Sequence, residues 1–198
     1  MANDAGLFFG EFVRSPGTIG ALAPSSPRLA DAVCKPVPER GEPVVVELGP
    51  GTGSFTAEIQ RRLGGRGHHL AVELNERLAT RLASRFPGVD LVCGDAADLP
   101  KVLAERGFGH ADVIVSGLPW AAFPTTVQEK LMDAVTAALT PGGAFTTFSY
   151  IHAIPLPSAR RFRVLLGNRF EEVVAGRTVW GNPPPAFVFH ARRPRISF

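Results

Sequence analysis

The sequence predicts an α/β fold, with helices packed on a seven-stranded, mostly parallel sheet. Three observations predict it. Short apolar runs rich in β-branched residues alternate with stretches of helical period, the pattern of βαβ crossovers. The first four runs each end in a polar or glycine-rich tip, which in open α/β sheets is the ligand edge. Near the C-terminus two further runs are joined only by Gly181-Asn182-Pro183-Pro184-Pro185. So short a link cannot cross over, so these two read as an antiparallel hairpin that closes the sheet. The architecture is Rossmann-like, one domain over residues 1–198, with an N-terminal helical lid (1–38) and a core (39–198).

Each element has its own signal. Residues 5–13 put Phe8, Phe9, Phe12 and Val13 on one helical face, which reads as a lid over a ligand site, as an interfacial helix, or as both. Ser26 as N-cap with Pro27 at the first helical position predicts a helix to about Val33. A proline-rich linker, Lys35 to Pro43, follows. Val44, Val45 and Val46 read as a strand buried on both faces, and Gly49, Gly51 and Gly53 as a tight turn into a helix from Ser54 to Leu63. His69 to Leu74 is a second strand. Asn75 caps a helix carrying the Leu78, Leu82, Phe86 stripe, and Val89–Cys93 and Ala111–Val115 are strands three and four. Thr125 with Gln128 matches a capping box ahead of Val127, Leu131, Val135 and Leu139. Pro141-Gly142-Gly143 is expected to end that helix and open strand five, Ala144 to Tyr150. A helix from Ser158 to Leu166 and strands Glu171–Trp180 and Ala186–Arg193 complete the chain.

The ten residues Val44 to Gly53 narrow the ligand. A dinucleotide fingerprint would need Gly or Ala at position 54, where Ser54 stands, and a carboxylate ahead of the first glycine has the wrong sign for a pyrophosphate. An acid, Glu47, beside a glycine-rich turn suits a cation, and S-adenosylmethionine, with its ammonium and sulfonium charges, is the candidate. Glu73, at the tip of strand two, is placed to accept from two ribose hydroxyls. Asp95 can accept from an adenine amine while the Ala96 amide donates to the ring.

The series Glu47-Leu-Gly-Pro-Gly-Thr-Gly53, Val72-Glu73, Gly94-Asp95-Ala96 and Pro141-Gly142-Gly143 resembles the class I S-adenosylmethionine-dependent methyltransferases over residues 44–150. Adding Gly20-Ala21-Leu22-Ala23-Pro24-Ser25-Ser26, Ser116-Gly117-Leu118-Pro119 and Phe148-Ser149-Tyr150, it is similar to the bacterial phospholipid N-methyltransferases, which act on phosphatidylethanolamine. The resemblance implies cofactor contacts from Glu47, Gly49, Pro50, Gly51, Thr52, Gly53, Glu73, Leu74, Asp95, Ala96 and Ser116. By it, Glu47 would reach the methionine end through water, Glu73 the ribose and Asp95 the adenine, with S-adenosylhomocysteine as product.

Methyl transfer from a sulfonium needs no metal, and positioning carries most of the catalysis. The acceptor pocket is expected over the tips of strands four and five, where Leu118, Pro119, Trp120, Phe123, Tyr150 and His152 fall. Tyr150, the only tyrosine, is the candidate catalytic residue, holding an amine by its hydroxyl or ring, or else a core aromatic. An alkylamine has a pKa of about 10, so a desolvated aromatic site is needed to favour its neutral form. His152 is a candidate proton acceptor or a solvent-facing loop residue, and Trp120 walls the acceptor or seals the sheet. Arg160 and Arg161, with Arg163, could bind a lipid phosphate or lie on a solvated face.

Other readings stay in view. Gly117-Leu118-Pro119-Trp120 is similar to the Asn-Leu-Pro-Tyr tip of ribosomal RNA adenine dimethylases, but Gly117 stands at the Asn position, so nucleic acid ranks below a lipid or small-molecule acceptor. A small-molecule N- or O-methyltransferase, or a peripheral membrane protein that binds the cofactor without turnover, are the remaining alternatives.

With 198 residues and 45% hydrophobic composition, the chain is long enough to bury about 70% of its unfolded surface. No apolar run approaches the length of a membrane span, and no secretory signal is legible, so a cytoplasmic protein is expected, at most peripheral at the inner membrane face. Cys34 and Cys93 are expected to be buried free thiols. The net charge is +3, yet residues 158–198 hold eight arginines against Glu171 and Glu172. That basic third suits an anionic membrane surface, RNA or a solvated face.

Overall fold

Seven strands in the order β3-β2-β1-β4-β5-β7-β6 form one sheet in the computed structural model, which describes residues 24–195. The expectations for residues 5–13 and for Gly20 to Ala23 lie outside the described residues. The strands are β1 Val44–Leu48, β2 His68–Glu73, β3 Asp90–Cys93, β4 Ala111–Ser116, β5 Leu139–Tyr150, β6 Phe170–Ala175 and β7 Ala186–Pro194. The helices are α1 Pro27–Cys34, α2 Ser54–Leu63, α3 Glu76–Arg85, α4 Leu99–Glu105, α5 Thr125–Ala138 and α6 Pro157–Arg169. β1 to β5 pair in parallel, while β7 runs antiparallel to both β5 and β6. The predicted hairpin is therefore present, with β7 inserted beside β5.

Two apolar layers flank the sheet. On one face Leu29, Val33 and Cys34 of α1 and Phe55, Ile59 and Leu63 of α2 pack on Val45, Val113 and Val115. On the other, α4, α5 and α6 bury Leu99, Leu103, Leu131, Val135, Phe162 and Leu166 against Val46, Leu48, Leu70 and Ile114. Alternate strand residues feed each layer, as the two-residue period requires.

Local signals set several boundaries. Ser26 accepts from the Leu29 amide and caps α1, with Pro27 opening it; Asn75 caps α3 by accepting from Leu78. The capping box at α5 is not formed. Pro124 stands at the N-cap, and the Gln128 side chain turns inward to donate to the Trp120 and Ser158 carbonyls at 2.7 and 3.2 Å. A tertiary pair of acceptors outcompetes the local cap. β5 starts at Leu139 rather than Ala144: Ala111 pairs with Leu139 and Val113 with Ala144, so Pro141-Gly142-Gly143 is extruded as an irregularity within the strand. Proline has no amide to offer the ladder there. β6 stops at Ala175, not Trp180. Ala175 faces Phe189 and Val179 faces Ala186, so four steps on one strand match three on the other, a bulge that ends regular pairing. Cys34 is buried, and burial pushes its thiol well above the usual range, whereas Cys93 is exposed, contrary to expectation.

Candidate functional site

The ends of β1 to β4 are brought level and stitched together. Leu48 lies opposite both Val72 and Ser116, and Ser116 opposite Thr147. Beyond them the Gly49 amide donates to the Val72 carbonyl at 2.9 Å, the Gly94 amide to Glu73 at 3.0 Å, and the Gly117 amide to Leu48 at 2.8 Å. The glycine-rich turn Gly49-Pro50-Gly51-Thr52-Gly53 crosses this edge into α2. Gly53 has φ of 85°, and a Cβ there would meet Phe86 at 2.7 Å and Leu82 at 2.9 Å, so both backbone and space demand glycine. Gly117 is demanded by space alone, since a Cβ would stand 2.5 Å from the Gly49 carbonyl oxygen.

The three acids hold this edge in different ways. Glu73 is fully buried; its Oε2 accepts from the Gly51 amide at 3.1 Å and its Oε1 from the Asn75 amide at 2.9 Å. Burial pushes its carboxyl above the usual range, and the Glu47 charge adds to this, against the lowering effect of the Asn75, Gly51 and Leu74 amides. Glu47 is also fully buried. Its Oε2 accepts from Thr56 at 2.8 Å and lies 3.3 Å from His69 Nε2, while the Gln60 amide stands 2.9 Å from His69 Nδ1. Glu47 Oε1 has no hydrogen-bond partner among the described residues. A buried carboxylate oxygen without a donor is costly, so this atom is suited to a donor that arrives with a ligand. Asp95 accepts from the Ala97 amide at 3.0 Å, and Lys130 Nζ lies 3.7 Å from its Oδ2.

Leu74, Asp95, Ala96 and Gly49 line one cleft, together with Leu118, Phe123 and Leu131. Its walls are apolar with one carboxylate at the rim, which matches an adenine ring and its exocyclic amine. Leu118 and Phe123, expected on the acceptor side, line this same cleft. Leu131 was not singled out as a site residue; its place in the helical stripe of α5 was its only signal. Thr52 and Gly51 border a second depression against Arg81 and Arg85 of α3. Thr56 and His69, which hold Glu47, were also missed: neither lies in a motif, and only the folded sheet brings them to Glu47.

The residues around the acceptor side divide. Trp120 is 1% exposed and offers no surface to an acceptor, so it seals rather than walls. Its indole N–H donates to Ser116 Oγ at 3.0 Å, and its ring stacks on Phe162 of α6 with centroids 4.8 Å apart. Ser116 is likewise fully buried and occupied, accepting also from the Leu118 amide. Pro119 is half-buried on the tip. Ser158 Oγ donates to the Ala121 carbonyl at 2.5 Å, which locks the start of α6 over the end of β4. Tyr150 and His152 are brought together, rings stacked at 5.4 Å and 10°. Phe55, Phe148 and Tyr150 form an edge-to-face series at 5.7 and 5.3 Å, leading from the first turn of α2 to this pair. Burial pushes the Tyr150 phenol above its usual range, so near neutrality it is an uncharged hydroxyl, not a base. His152, Arg160 and Arg161 are exposed.

Comparison with known proteins accords with this geometry. Residues 45–143 match the family model described as a methyltransferase domain. The ornithine lipid N-methyltransferase of Singulisphaera acidiphila is 36% identical over 195 residues, covering 97% of both chains. Among solved structures, TrmN from Thermus thermophilus superposes with a TM-score of 0.63 at 22% identity, over 84% of this chain and 48% of that one. The chain thus spans about half the length of that structure. Fibrillarin from Aeropyrum pernix, solved with natively bound S-adenosylmethionine, gives 0.62 at 17% identity over 83% and 74%. These two show the fold. Taken with the relative that matches from end to end, they establish that the chain belongs to the class I S-adenosylmethionine-dependent N-methyltransferases.

Proposed function

We propose that this protein methylates the primary amine of an aminolipid whose headgroup also carries an anionic group, with an ornithine lipid as the first candidate and phosphatidylethanolamine as the second. The observation that carries the reading is the 36% identity to an ornithine lipid N-methyltransferase across 97% of both chains.

The bound cofactor supplies a methyl group on a cationic sulfur, already activated toward a nucleophile. The chain's own residues do the rest. Glu73 holds the Gly51 amide and so fixes the glycine-rich turn before the ligand arrives. Glu47, oriented by Thr56, presents its free oxygen toward an ammonium or a water bridging to it. Asp95 and the apolar walls of Leu74, Leu118 and Leu131 receive the adenine. Tyr150, neutral and half-buried, accepts from or stacks on the acceptor amine, and His152 beside it takes the proton that the amine must shed. When bound, the cofactor would supply its methyl group to that nitrogen and be left as a neutral thioether. Arg160 and Arg161 on the first turns of α6 face a headgroup carboxylate or phosphate.

Two features weigh against a nucleic-acid acceptor. An asparagine cannot replace Gly117 without displacing the Gly49 carbonyl, so the side chain that grips a base amine in the ribosomal RNA dimethylases has no room. Arg160 and Arg161 also share their stretch of chain with exposed Ile154, Leu156 and Val164. Incubating the protein with methyl-labelled S-adenosylmethionine and, in parallel, ornithine lipid, phosphatidylethanolamine, RNA and soluble amines tests the reading. Label in ornithine lipid, with little in the others, is the expected result; label in RNA alone would overturn it. Tyr150→Phe should lose roughly tenfold in kcat/KM, the worth of one hydrogen bond, and Tyr150→Ala considerably more.

A further inference from the structure

Five large hydrophobic side chains are exposed among the described residues: Ile154, Leu156, Val164, Val174 and Trp180. Three of them, Ile154 at 50%, Leu156 at 43% and Trp180 at 75%, flank one edge of the molecule. The Ile151 amide donates to the Pro185 carbonyl at 3.0 Å, and Ala186 pairs with Tyr150 on one side and Val179 on the other. The segment after β5 and the β6–β7 connection therefore run side by side, next to Tyr150. Trp180 stands on a connection stiffened by Pro183, Pro184 and Pro185, with Asn182 buried beneath it and bonded to the Ser26 amide.

Charge completes the picture. Between Ile151 and Phe170 there is no acidic residue, and none between Val173 and Arg195. The same stretches carry exposed Arg160 and Arg161 near Leu156, and exposed Arg177 three positions before Trp180. Exposed apolar tips on stretches that carry arginines and no acids match the interface of an anionic bilayer. There the indole of tryptophan sits at headgroup depth, and each basic side chain near the surface contributes independently.

We propose that the protein docks on anionic membranes through Ile154, Leu156 and Trp180, with Arg160, Arg161 and Arg177 over the headgroups. This places Tyr150 at the seam where a lipid amine would enter. The surface rests on the aminolipid reading for its purpose but not for its existence.

The two tryptophans make the test direct: Trp120 is 1% exposed and Trp180 is 75% exposed. The full chain is mixed with vesicles of phosphatidylcholine plus phosphatidylglycerol, with phosphatidylcholine vesicles as control, each with and without brominated acyl chains. Binding to the anionic vesicles only, with a blue shift and bromine quenching of the exposed tryptophan, is expected. Trp180→Ser should abolish the quenching and weaken partitioning about tenfold, and Arg177→Gln about fivefold. Vesicle binding without quenching, or partitioning unchanged in a combined Ile154→Ser, Leu156→Ser and Trp180→Ser variant, would overturn the proposal. So would retention of RNA but not vesicles. Turnover of aminolipid in detergent micelles separates the two readings. A Trp180→Ser protein active in micelles and poor on vesicles supports docking; docking intact with no aminolipid turnover in either form removes the acceptor and leaves the surface.

Discussion

Glu73 shows how one residue couples protonation to ligand. Burial raises its folded pKa, so the folded protein keeps that proton to higher pH than the unfolded chain does. Its contribution to stability is therefore greatest below the ordinary carboxylate range and falls as pH rises through the raised folded value. A cationic ligand favours the ionised form, so cofactor affinity should increase with pH across the same acidic window, with proton release on binding. Calorimetry in buffers of different ionisation enthalpy measures that release directly. Glu73→Gln sets an amide NH2 against either the Gly51 or the Asn75 amide and should cost about 1–3 kcal/mol of binding or stability, removing the pH slope with it. The presence of acids at strand tips was legible because strand, acid and glycine are contiguous in sequence. That two of the three carboxylates are fully buried was not, since the residues that cover them, Thr56, His69 and the Gly51 turn, come from neighbouring elements.

Helix α5 shows the limits of a local code. Thr125 and Gln128 have the spacing of a cap, yet Gln128 is 1% exposed and serves Trp120 and Ser158 instead. Those acceptors lie 8 and 30 positions away in sequence, beyond any motif. Gln128→Ala removes a buried side-chain donor shared by the Trp120 and Ser158 carbonyls and should lower stability by about 1–3 kcal/mol, read by chemical denaturation. Asn75→Ala, which removes a true cap from α3, should cost about 1 kcal/mol. Where propensity, capping and period agreed, as at Ser26-Pro27 and Asn75, the expected helix starts coincide with the observed ones. The strand ends at Leu139 and Ala175 differ because irregular pairing with β4 and β7 decides them.

At the scale of the whole molecule, the order β3-β2-β1-β4-β5-β7-β6 gathers the tips of four parallel strands on one edge and ends the sheet with a hairpin. The alternation of strand and helix signals was enough to predict the parallel strands and the hairpin, though not the strand order, because parallel pairs require crossovers and short links forbid them. A ligand held by four strand tips at once should stabilise the entire sheet. S-adenosylhomocysteine at about a hundredfold excess over its Kd should add roughly 2.7 kcal/mol, visible as a raised Tm; an unchanged Tm would show that the edge holds no such ligand.

On the proposed reading the cofactor is held by β1 to β4, whereas Tyr150 pairs with Ala186 of β7 and its neighbour Ile151 donates to the Pro185 carbonyl. Donor and acceptor would then be handled by separable stretches of chain. Replacing the connection between Val179 and Ala186, which carries Trp180, should therefore alter both vesicle docking and acceptor use while affinity for S-adenosylhomocysteine stays the same.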